Sequence, residues 1–205
     1  MGKAILISIK PQYVEQILNG SKTIEIRKTM PKCELPCKVY IYCTKGKNTI
    51  VYVERKGEFD WFGNTAKKTI ICTRPKYWYM GDKLSKVVAE FTLKRIDTIE
   101  ICDPDILING KQCKQANLQA ECQVSIDDIM SYIGYGNDHD GWGRDWDKGY
   151  LWHIDDLKIY DTPKELSEFR KLYNEREGGW QNLQVTRPPQ SWCYVEEIWT
   201  IKKSL

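Results

Sequence analysis

Between Ala4 and Lys28 the hydrophobic period changes twice, from two residues to helical spacing and back, with almost no linker. Ala4 to Ile9 is β-branched and alternating, which predicts a strand. Lys10-Pro11 then opens a helix with Pro at its first position, where the missing N–H costs nothing. Tyr13, Val14, Ile17 and Leu18 share one face of that helix, and Asn19-Gly20 supplies its stop. From Lys22 to Lys28 the two-residue period returns. It sets Thr23, Glu25 and Arg27 on one face and Lys22, Ile24 and Ile26 on the other, so Glu25 and Arg27 are expected to project together.

Downstream, Lys38 to Thr44 and Val87 to Leu93 read as strands that neighbour each other in one sheet, the second preceded by a turn at Met80-Gly-Asp82. Residues 45–82 between them read as an insertion holding a hairpin, around Thr49 to Val53 and Thr69 to Cys72. Residues 102–123 are polar and weakly patterned. Ser125-Ile-Asp-Asp128 predicts a capped helix running to Ile133, and Gly149 to Ile154 a strand. Thr162-Pro163-Lys-Glu165 reads as the cap of a further helix, with Leu166, Phe169 and Leu172 at helical spacing. Ser191 to Trp199 alternates as a closing strand. The expectation is a single α+β domain over residues 1–205, with insertions at 45–82 and 102–147.

With 41% hydrophobic and 29% charged residues, the composition is that of a globular chain. No apolar run approaches the roughly 18 residues of a membrane span. The apolar start is too short and too alternating for a signal peptide and has no small-residue cleavage site, so the expected location is the cytoplasm and no membrane partner is expected. A net charge of +3 gives only weak diffuse attraction to nucleic acid, so any such binding has to come from local clustering. Eight cysteines lie at irregular spacings without a C-x-x-C, and His139 and His153 are the only histidines. Reduced thiols are therefore expected, with neither metal nor cofactor. Cys33 and Cys37 form the one close pair, to which spacing alone assigns no chemistry. Asp138-His-Asp140 and Asp145-Trp-Asp147 invite a metal reading, but the bidentate Glu that ends a calcium loop is missing, so the stretch reads as a solvated acidic turn. Twelve tyrosines and eight tryptophans against four phenylalanines favour half-buried, ligand-binding faces. His153, Trp152 and Trp192 read as structural; Lys67-Lys68 and Lys45-Gly-Lys47 read as solvated, with a nucleic-acid surface shared with Tyr77, Trp78 and Tyr79 as the alternative.

Gly20, Lys22, Glu25 and Arg27 spell G-x-K-x-x-E-x-R. With the strand and helix before them, Lys38 to Thr44, Val87 to Phe91, Tyr150 to Ile154 and Pro188 to Trp192, the chain resembles the ASCH family of the PUA-like superfamily, in the form carried by Firmicutes and their phages. That resemblance implies a PUA-like mixed β-barrel with short flanking helices and inserted loops. It also implies a polar cleft at the barrel end that binds RNA or a modified nucleotide.

The ligand-binding residues expected there are Lys10, Lys22, Glu25, Arg27, Ser191 and Tyr194. Arg27 offers paired donors to phosphate or a base edge, the lysines act as point charges, and Glu25 accepts from an exocyclic amine. The plainer reading is a structural Glu25–Arg27 ion pair. An enzymatic reading also follows from the resemblance, because small bacterial members hydrolyse an acetylated cytidine with the signature Lys and a Thr three residues later. Glu25 stands at that position here, so Lys22 and Glu25 would act on water and the covalent route through a hydroxyl is closed. Cleavage of single-stranded RNA, with Lys10, Lys22, Arg27 and Ser191 as candidates, is the other hydrolytic reading. A protein-interaction module is the third class.

Overall fold

The computed structural model describes residues 2–46, 48–59, 65–75, 78–102, 105–134, 147–172 and 184–198. The acidic turn at 138–140 and 145–146, the hairpin tip and Gly178-Gly179 lie outside them. Strand β1 (Lys3–Ile9) leads directly into helix α1 (Pro11–Leu18), and β2 (Ile24–Arg27) follows. Pro11 opens the helix, and Gly20 leaves it at φ +79°, a left-handed backbone that glycine adopts without a Cβ clash. Strand β3 (Cys37–Cys43) then pairs parallel to β1. Parallel neighbours need a long crossover, and α1 with β2 provides it.

The chain continues through β4 (Asn48–Phe59), β5 (Thr65–Pro75), a 3₁₀ turn at Trp78–Lys83, β6 (Lys86–Leu93), β7 (Ile96–Cys102), β8 (Asp105–Ile108) and β9 (Lys111–Gln112). Helices α2 (Gln115–Cys122) and α3 (Ile126–Ile133) follow, then β10 (Asp147–His153), β11 (Asp155–Lys164) and β12 (Trp192–Glu196). One five-stranded sheet runs β11-β6-β3-β1-β12, and a second runs β2-β10-β7-β8-β9. The fold is α+β. Strand pairing among the described residues leaves these two sheets open, without the ladder that would join them into a closed barrel. Strands β4 and β5 pair with each other as a separate ribbon, Val53 opposite Ile70 and Thr49 opposite Arg74, which is the hairpin expected from the sequence.

Alternation sorts the cores. Ile5, Ile7 and Ile9 of β1 join Val14, Ile17, Val39, Ile41, Phe91 and Trp152 on one face of the first sheet. Ala4 and Leu6 turn to the other face, with Tyr40, Val87, Phe169 and Val195. In the second sheet, Ile24, Ile26, Ile99 and Leu151 pack under α2 and α3. Trp152, next in β10, points to the opposite side and into the first core. Because Glu25 lies opposite Trp152 in the β2–β10 ladder, and Arg27 opposite Tyr150, both charged residues share that side. They lie where the two sheets meet.

One local reading changes. The helix expected after Thr162 is absent: β11 continues to Lys164 and only a 3₁₀ turn, Leu166–Glu168, follows. Glu165 does cap it, with a reciprocal bond to Glu168, but Phe169 is already extended and fully buried, its ring edge-on to Tyr40 at 5.0 Å. Burying that ring outweighs the weak preference of a short helical pattern. The stretch expected as an insertion from 102 also holds β8, β9 and α2, and its apolar residues Ile106, Leu118 and Cys122 complete the second core. Among the described residues no helix is long and apolar enough to cross a membrane.

Candidate functional site

Ile24 is the first residue of β2, so Lys22 and Thr23 precede the strand and its alternation does not govern them. Thr23 gives its N–H to Glu121 and its carbonyl to Ile154, while the Lys22 N–H bonds Gln16. This turn swings the Lys22 side chain to the side of Glu25, against the expectation that it would share a face with Ile24. Its Nζ donates to the Cys122 carbonyl at 2.6 Å and lies 3.4 Å from Glu25 Oε2. Cys122 ends α2, whose exposed carbonyls favour a cation.

The other carboxylate oxygen, Glu25 Oε1, takes Arg27 Nη2 at 3.0 Å. The same nitrogen donates to the Ser8 carbonyl at 2.8 Å, and Nη1 donates to Ser191 Oγ at 3.2 Å. Arg27 Nε is buried without a partner among the described residues. The guanidinium therefore ties β2 to β1 and to the segment entering β12, which is fixed in turn by Ser8 Oγ donating to the Pro189 carbonyl at 2.7 Å. Lys22 is 2% exposed, Glu25 7% and Arg27 6%. Two cations on one carboxylate leave a net positive charge in a place where water screens little.

Above this trio opens a cleft of about 720 Å³. Lys10, Lys22, Glu25, Arg27 and Ser191, five of the residues singled out from the sequence, line it. Tyr194 does not. Its hydroxyl accepts the Lys32 N–H and its ring lies 3.7 Å under Lys3 Nζ, which anchors the chain ahead of β3. Most other lining residues carry no functional signal in the sequence. Tyr13 of α1 and Tyr132 of α3 enter the walls, with Lys22 Nζ 5.4 Å and Lys28 Nζ 5.5 Å from their respective ring centres. Asp128 also faces the cleft, but its carboxylate accepts from Ser125 Oγ at 2.7 Å within the cap of α3. Tyr132 is 105 residues from Arg27 by numbering, so only the fold brings the two to one cavity. Lys28 adjoins the motif, and its place beside Arg27 was the one hint available.

His153, read as structural, lies 2.7 Å from Asp97 Oδ2 by its Nε2, away from the cleft. Trp152 is fully buried, and Trp192 donates its Nε1–H to Thr29 Oγ1 at 3.0 Å. Among the described residues no group of three or more His, Cys, Asp or Glu side chains is placed to hold a metal ion.

No family model matches the chain, and no curated protein matches it in sequence. Solved structures similar to it include the crystal structure of ASCH from Zymomonas mobilis, 15% identical with a TM-score of 0.45, covering 95% of this chain and 88% of that one. A mutant of the same Zymomonas mobilis protein is 16% identical with a TM-score of 0.48, over 95% and 89% of the two chains. At such values the chemistry of the site rests on this chain's own side chains.

Proposed function

We propose that the chain is an ASCH-type, PUA-like domain that binds RNA or a nucleotide in the cleft above Lys22, Glu25 and Arg27. The observation that carries this reading is the buried trio itself, a floor with two cations and one carboxylate beneath a cavity of about 720 Å³. That size lies within the range of small-molecule sites, about 300–1,000 Å³. An anionic ligand offsets the floor's surplus charge, with Lys10 and Lys28 at the exposed rim. Tyr13 and Tyr132 offer ring faces for a base. The test is calorimetric titration with nucleosides, mononucleotides and short single-stranded RNAs. Lys22→Ala is expected to weaken the best ligand at least about tenfold, the loss of one charge-assisted contact of about 1.4 kcal/mol or more. Absence of binding by any of these ligands to the folded wild-type protein would sink the proposal.

One observation favours hydrolysis of a modified nucleoside or single-stranded RNA as a second reading: Lys22 Nζ lies 3.4 Å from Glu25 Oε2 at the cleft floor. A carboxylate beside a cation can direct a water toward a bound carbonyl. Both Glu25 oxygens are already engaged with cations, however, and a general base has to release one. Binding is therefore preferred. Incubation with an acetylated cytidine and with short RNAs, comparing wild type and Glu25→Gln, separates the two: turnover lost in the variant supports hydrolysis, and tight binding without turnover supports recognition alone.

A further inference from the structure

The connection from β2 to β3 brings two thiols together outside the cleft lining. Cys33 Sγ lies 3.3 Å from Cys37 Sγ, and a disulfide holds its sulfurs at about 2.05 Å. Closing the bond needs the sulfurs to approach by a further ~1.3 Å. The span between the two residues is fixed at both ends. Ahead of it, Lys32 donates its N–H to the Tyr194 hydroxyl and accepts Lys3 Nζ on its carbonyl at 3.0 Å. Behind it, Cys37 is the first residue of β3, in register with Leu93 of β6. Reacting groups held in contact by a folded frame act at high effective concentration. Other thiols are differently placed, Cys43 toward the Thr44 carbonyl and Cys113 toward that of Lys114.

The two sulfurs are unequal. Cys33 is half-buried and Cys37 is 7% exposed, so an oxidant from solution meets Cys33 first. Burial pushes the Cys37 thiol up to about 12, the hydrogen bond and charge of Cys33 add to this, and the nearby Lys3 cation opposes it. Cys37 is thus protected while Cys33 is free. Once Cys33 is modified, the contribution of its thiol to that elevation disappears, while burial still keeps the Cys37 thiolate fraction small, so closure by Cys37 is the slower step and relies on the contact of the two sulfurs.

We propose that Cys33 and Cys37 form a reversible redox pair, which a low-molecular-weight disulfide oxidises to an intramolecular disulfide. The Cys33 thiolate attacks one sulfur of the oxidant and releases a small thiolate, leaving a mixed disulfide on Cys33. The Cys37 thiolate then attacks the Cys33 sulfur and expels the second small thiolate. Two electrons pass from the protein sulfurs to the oxidant. The two protons lost by the cysteines end on the two released small thiols. This pair is independent of what the cleft binds.

The experiment equilibrates the full chain in oxidised and reduced glutathione, alkylates free thiols with iodoacetamide and maps the tryptic peptides. Cleavage after Lys32 and Lys38 releases Cys33 to Lys38 as one peptide holding both residues. Under oxidising buffer that peptide is expected to be lighter by two hydrogens, unalkylated and free of glutathione, and dithiothreitol is expected to restore it. Its oxidised-to-reduced ratio is expected to follow oxidised glutathione over the square of reduced glutathione, since two small thiols are released per bond formed. In Cys37→Ala the mixed disulfide on Cys33 is expected to persist. Cys33→Ala is expected to leave Cys37 unmodified in the native protein and reactive in urea. A wild-type peptide that keeps a stable glutathione adduct, or that is alkylated on both cysteines after oxidation, overturns the proposal.

Discussion

Glu25 sits between Lys22 Nζ at 3.4 Å and Arg27 Nη2 at 3.0 Å, and water reaches little of any of the three. Removing the carboxylate leaves two buried cations facing each other, whereas removing Lys22 leaves Glu25 still paired with Arg27. Glu25→Ala is therefore expected to cost about 3–5 kcal/mol and Lys22→Ala clearly less, as measured by urea unfolding. Equal losses would show that the trio is not the connected network described. Asp97 gives a second residue-level prediction. Burial pushes its carboxyl up, but hydrogen bonds from Asn109 and His153, with the charges of His153 and Arg95, outweigh burial and hold it below its ordinary 3.8. The folded state thus binds protons there less readily than the unfolded chain. Its stabilisation is full above that ordinary value and is lost as pH falls through the lower folded value. Unfolding series from about pH 6 to about pH 2 are expected to fall more steeply for wild type than for Asp97→Asn in that acid window. Parallel curves would refute it.

At the scale of elements, β2 and α3 carry the second sheet's wall of the cleft, and β10 pairs with β2 behind it. The α3 cap was readable in advance: Ser125 accepts the Asp128 N–H at 3.1 Å, as Ser-x-x-Asp predicts. The close approach of α3 to β10 was not. A Cβ on Gly149 would lie 2.8 Å from Ile133 Cγ2 and 3.1 Å from Ile99 Cγ2. Gly149→Ala is expected to destabilise by about 1–3 kcal/mol through overpacking, and a melting temperature equal to wild type would contradict this contact. The turn after Lys164 shows the opposite case, where Leu166 and Phe169 have helical spacing but Phe169 is drawn into the core beside Tyr40. Short patterns of that kind are decided by which surface buries the large side chain.

Over the whole molecule, the ribbon of β4 and β5 pairs only within itself among the described residues, while β3 and β6 on either side of it pair directly with each other. Replacing residues 48–75 by a short Gly/Ser linker is therefore expected to leave both five-stranded sheets folded. A cooperative thermal transition and an unchanged strand signal in circular dichroism would verify it, and loss of the transition would show that the ribbon supports the cores. The cleft depends on longer connections. Arg27 reaches Ser8 and Ser191, 19 and 164 positions away, so a cut that frees β12 should open the site even if the sheets survive.

Local pattern was enough for the period changes from β1 through α1 to β2, the strands β3, β6, β10 and β12, the α3 cap and the placement of Glu25 and Arg27 on one face, whereas their ion pair was one of two readings left open until the structure. The features that local pattern reached follow from spacing and local backbone chemistry. Tertiary structure decided which sheet each strand joined, that Lys22 turns toward Glu25, and that Tyr132 rather than Tyr194 enters the cleft. It also set the sulfurs of Cys33 and Cys37 3.3 Å apart. Those outcomes depend on contacts between residues far apart in the chain or on turns outside any regular period, and a local pattern has no term for either.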